Sequence, residues 1–190
     1  MVIGNFEQRG SLDASGREIG GIVGWCNYNI TIENCRSSMS ITASRNVGGI
    51  IGYIKGTSTT SITATLKNVV NMGTVTCTNN RANVGGVGGI IGAIQRCDND
   101  NTNSAVIDSA SNKGAVYGDI NMGGIVGFTN GTCTISNNCN TGTVQSNYWS
   151  LNLWCYCGGI VGHVTHRHRP PQVRTRLQTR LRLRQTLRGC

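Results

Sequence analysis

Five copies of one pentapeptide constrain this chain more than any other feature: GGIVG at Gly20, GGIIG at Gly48, GGIIG at Gly88, GGIVG at Gly123 and GGIVG at Gly158. Successive copies start 28, 40, 35 and 35 residues apart. A second unit alternates with them, as GNFEQRGSL from Gly4, ENCRSSMSI from Glu33, KNVVNMGTV from Lys67, DSASNKGAV from Asp108 and NNCNTGTV from Asn137. Within that unit Asn5, Asn34, Asn68, Ser109 and Asn137 correspond, as do Gly10, Met39, Gly73, Gly114 and Gly142. Self-similarity at this period is the mark of a solenoid or array, in which each unit buries its apolar face only against its neighbours.

Short runs rich in β-branched residues, such as ITIENC, SITATL and GTVTCT, are bounded by Gly and Asn and read as strands, with no helical period in the body. The expected fold is therefore all-β, a β-solenoid resembling a parallel β-helix, with about five coils of three strands each. One strand begins in GGIVG, one in the TIxNC-like run and one in GTV. Glycine suits the corners because it accepts positive φ and lets backbones approach closely. Ile22, Ile50, Ile90, Ile125 and Ile160 should stack as an inward ladder, and the repeated Asn should stack at a bend. Strand alternation then turns Val23, Ile51, Ile91, Val126 and Val161 outward, where a loop, a second sheet or a partner should cover them.

GGIVG followed by an Asn-Cys, Asn-x-Gly-x-Val unit resembles the GLUG-motif repeats of bacterial and protist surface or secreted proteins, including adhesins and IgA-specific peptidases. The resemblance covers residues 4 to 162. It implies an extracellular or cell-surface β-solenoid scaffold engaged in adhesion, with a host protein or a glycan as partner and further repeats of a longer chain as neighbours. The His-Glu-x-x-His of the peptidases has no counterpart here, so their catalysis does not carry over. The chain opens inside a unit at NFEQRGSL, and the expectation is a fragment whose signal peptide was lost with a missing N-terminal part; no apolar run long enough for a membrane span is present.

Chemistry is sparse in the body. GGVGGIIG from Gly85 has one residue too many for a dinucleotide fingerprint and no following Lys-Ser or Lys-Thr for a phosphate loop, so no cofactor is expected. The eight acidic residues are scattered and fall at no common repeat position, which argues against the carboxylate pair of a carbohydrate-active β-helix, the alternative reading of function. Asp98 and Asp100 are the only close pair and lack the pattern of a calcium loop. None of the nine cysteines forms a Cys-x-x-Cys, so a metal site is not expected; disulfides and buried free thiols both remain open. Trp25, Tyr53 and Phe128 follow the pentapeptide directly, and Trp149 and Trp154 crowd the last spacer. Those five rings are the candidate ligand contacts, set against the plainer role of covering a coil edge.

Charge divides the chain at residue 162. Residues 1 to 162 carry nine basic and eight acidic side chains, whereas 163 to 190 hold eight Arg and no acid, so all but one unit of the formal charge of +9 belongs to the tail. No aromatic residue interleaves the arginines, and nucleic-acid binding through them is a third, weaker reading. Loss of the repeat's composition in mid-unit also fits a disordered segment or a shifted reading frame.

Overall fold

A computed structural model describes residues 1–57, 60–79, 85–97, 103–147 and 155–165. Those residues contain no helix and 25 short strands, which form five parallel sheets of five strands each. Every coil contributes one strand to each sheet, so five coils stack in register. The first sheet is made of Val2–Gly4, Ile30–Glu33, Thr63–Lys67, Ser104–Asp108 and Thr132–Ser136. Two-residue strands such as Val70–Asn71 form the second, and GTV-type strands such as Val75–Cys77 form the third. Strands such as Arg45–Gly48 and Ile51–Ile54 form the fourth and fifth. The fifth coil runs through Val161–Val164, two residues past the boundary expected at 162.

Five sheets replace the three expected because of two corners: the left-handed residue after the TIxNC-like run sets off a separate two-residue strand, and the pentapeptide does not begin a strand but straddles a corner. Its first glycine ends a strand of the fourth sheet, its second glycine and first aliphatic form the bend, and its second aliphatic opens the fifth sheet. This bend also removes the expected outward row. Ile50 and Ile51 lie on either side of the turn, so both enter one core with Ile54, Ile90, Ile91, Ile94, Ile125 and Val126. No external cover over Ile51, Ile91 and Val126 is required, because strand alternation does not operate across a corner.

Close backbone approach, rather than positive φ, explains the glycines. None of the pentapeptide glycines has a left-handed backbone. A Cβ on Gly49 would lie 2.1 Å from the Gly89 carbonyl oxygen and 2.4 Å from Asn71 Cγ; on Gly52 it would lie 2.5 Å from Ile19 N. Left-handed backbone falls instead on the aligned residues Asn5, Asn34, Asn68, Ser109 and Asn137, with φ of 50 to 56° at the corner between the first and second sheets. Asn is the residue that reaches this region most readily after glycine. Two of them bond along the expected stack, Asn68 Nδ2 donating to Asn34 Oδ1 at 2.8 Å, whereas Asn137 Nδ2 turns aside to Asp108 Oδ1 at 2.9 Å, in the neighbouring column.

A second asparagine column was not anticipated. Asn71 Nδ2 donates to Asn112 Oδ1 and Asn112 Nδ2 to Asn140 Oδ1, both at 2.8 Å, while each amide also reaches the carbonyl of the glycine two residues on. This column abuts the second glycines of the pentapeptides, with Gly89 and Gly124 against Asn112 and Asn140. It separates two apolar cores: the larger lies between the first and fifth sheets, and the smaller, around Ile41, Val47, Val75, Val87 and Val116, between the third and fourth. Buried amides are tolerable there because the three successive asparagines bond to one another and to the glycine carbonyls beside them.

Candidate functional site

The aromatic candidates do form a column. Trp25, Tyr53, Ala93, Phe128 and His163 are partners in register along the fifth sheet. Tyr53 and Phe128 are only 8% and 2% exposed and pack with Ala93 in a small buried cluster of their own, apart from the two coil cores. Trp25 is 56% exposed; its Nε1 donates to the Lys55 carbonyl at 3.0 Å and its ring tilts toward Tyr53 at 6.3 Å. Of these three rings, Trp25 alone presents a face to solvent. Trp149 and Trp154 lie outside the described residues, as do Asp98, Asp100 and the arginine-rich segment from 166 onward.

At the other end of the column, His163 stacks on Tyr156 at 4.0 Å and meets Phe128 edge-on at 5.5 Å. Its Nδ1 lies 2.9 Å from Asn121 Oδ1. Burial holds its pKa below the usual 6.5.

The most regular outward chemistry is on the first sheet, where alternate residues point inward to the larger core. The outward row holds Thr31, Thr65, Val106 and Thr134, flanked on one side by Thr63, Ser104 and Thr132. Thr63 Oγ1 and Ser104 Oγ lie 2.8 Å apart. Hydroxyls thus recur at the strand spacing of about 4.8 Å across the sheet and at about 6.8 Å along it. Signals for this face were present in Thr63-Ala64-Thr65 and Thr132-Cys133-Thr134, where polar residues bracket a small inward-facing one.

The opposite flank corrects the reading of the acids. Glu33, Lys67, Asp108 and Ser136 occupy one register position in successive coils, so two carboxylates do share a repeat position, with Lys67 between them. Ser136 Oγ and Asn137 Nδ2 both donate to Asp108, and these bonds, helped by Lys67, hold its carboxyl below the usual range. A general acid needs the reverse shift.

Cys26, Cys35, Cys77 and Cys97 are buried, Cys139, Cys155 and Cys157 are exposed, and no disulfide joins the described cysteines. Burial pushes the Cys77 and Cys133 thiols up to about 12, so both stay protonated and unreactive as nucleophiles near neutrality. Among the described residues no three His, Cys, Asp or Glu side chains converge on one point, and no helix is long and apolar enough to cross a membrane. No family model, curated protein or solved structure matches the chain.

Proposed function

We propose that this chain is a non-catalytic, extracellular repeat scaffold that binds an extended glycan along the first sheet. The carrying observation is the array of threonine and serine hydroxyls on that sheet, spaced by the coil repeat itself. A polymer of similar units offers donors and acceptors at recurring intervals, and a surface with its own recurring hydroxyls meets several of them without rearrangement. Likeness of the units to GLUG-motif surface repeats supports the same reading.

The test is a glycan-array screen of the purified chain followed by titration calorimetry of the strongest hit. Saturable binding without turnover is expected, and Thr65→Val combined with Thr134→Val should weaken it about tenfold by removing two hydroxyl contacts. Cleavage of a polysaccharide by the chain would transfer the assignment to the carbohydrate-active alternative. Binding that is indifferent to the double substitution would remove the first sheet from the mechanism, and selective capture of host proteins in place of glycans would overturn the ligand class.

A further inference from the structure

The two apolar cores set the molecule out in layers. Leu66 and Ile107 of the first sheet share one core with Ile91 of the fifth, whereas Val75 and Val116 of the third share the other with Val87 of the fourth. Between the cores the fifth sheet lies directly on the backbone of the fourth: a Cβ on Gly92 would sit 2.7 Å from Val47 N, and one on Gly127 2.5 Å from Val87 N. The order is therefore first, fifth, fourth, third, and the outward faces of the first and third sheets look in opposite directions.

Strand alternation gives the third sheet an outward row of its own. With Val75 and Val116 turned inward, Thr42, Thr76, Tyr117 and Gln145 point outward and are partners in register through coils two to five. Two residues earlier along the chain, Thr74 and Thr143 add hydroxyls on the same side. The strands Ser40–Ala43, Val75–Cys77, Val116–Gly118 and Val144–Ser146 contain no Asp, Glu, Lys or Arg, in contrast to the charged flank of the first sheet. Tyr117 is half-buried, and its ring stacks on no other ring among the described residues. A ring among short hydroxyl side chains, repeated at about 4.8 Å and free of charge, is complementary to an uncharged glycan. Sugar C–H faces pack on the ring, hydroxyls exchange hydrogen bonds with the threonines and Gln145, and no ion has to be stripped of water.

We infer that the third sheet is a second glycan-binding face, specific for uncharged polysaccharide, so that one chain bridges two polymer strands held on its opposite sides. The bridging rests on the reading of the first sheet as the other glycan face. Tyr117 is the anchor of the second face, and Thr76 and Gln145 beside it orient the sugar. Two faces on one rigid stack cross-link polymer where one face would only coat it.

The full chain is mixed with soluble starch, galactomannan and hydroxyethyl cellulose, and binding is followed by titration calorimetry and cross-linking by light scattering. At least one polymer should bind at two sites per chain, with scattering that rises to a maximum and falls again when excess protein coats the strands singly. Tyr117→Ala should weaken the second site about tenfold and abolish the scattering maximum while the first site persists. Tyr117→Phe, which keeps the ring, should behave like wild type, and unchanged circular dichroism separates loss of the face from loss of the fold. One site per chain without cross-linking, or a scattering maximum indifferent to Tyr117→Ala, would overturn the inference and leave the first-sheet reading standing. Failure of every polymer to bind would overturn both.

Discussion

Asn68 shows how one residue carries a corner. Its φ of 50° is left-handed, and its amide bonds to Asn34 in the coil before. Asn68→Ala should destabilise by about 1–2 kcal/mol, since alanine has a Cβ to strain and no amide to bond. Asn68→Gly should cost less, because glycine enters the same region freely and loses only the bond; urea midpoints of the two variants give the comparison. Equal losses in both would mean that the side-chain column, not the backbone, holds the bend. This position was readable in advance, since the aligned asparagines stood out in the repeat. The buried column of Asn71, Asn112 and Asn140 was not, because nothing in Asn-x-Gly says whether its amide faces inward or outward.

At the scale of the element, the last strand of the fifth sheet carries a proton-linked contact. His163 is held largely neutral by burial, so its folded pKa lies below 6.5 while the unfolded chain titrates near that value. The unfolded state then binds more protons as pH falls, which means stability is fully present above about 6.5 and declines as pH drops toward the folded pKa. Melting temperature followed from about pH 8 down to about pH 5 should show this decline. His163→Phe keeps a ring against Tyr156 and Phe128 and should flatten the profile. A slope that persists in the variant would assign it to other groups. The strands themselves were legible as β-rich runs, but their division was not: one extra sheet arises at the left-handed asparagine corner and the other from a corner inside GGIVG, and a corner inside an apolar run leaves no polar or proline signal.

Across the whole molecule, stability depends on neighbours. Ile90 is fully buried between the coils on either side, whereas Ile160, at the same position in the last coil, is 37% exposed. Ile90→Ala should cost about 2–5 kcal/mol and Ile160→Ala under about 1 kcal/mol, a contrast in urea midpoints that a monolithic core would not give. Equal losses would show that the end coil is sheltered in solution.

Taken by itself, the amino-acid sequence determined the repeat, the β class, the five coils and their register, because each depends on local composition recurring at intervals that a stack must respect. Only the tertiary structure decided that GGIVG is a corner, that Tyr53 and Phe128 are buried while Trp25 is exposed, and that Glu33, Lys67 and Asp108 share one column. Those outcomes depend on where the chain bends between strands and which coil lies over which. A bend is set by contacts from residues some 30 to 40 positions away, such as Gly49 with Gly89 and Asn71 with Asn112, and no single repeat contains them.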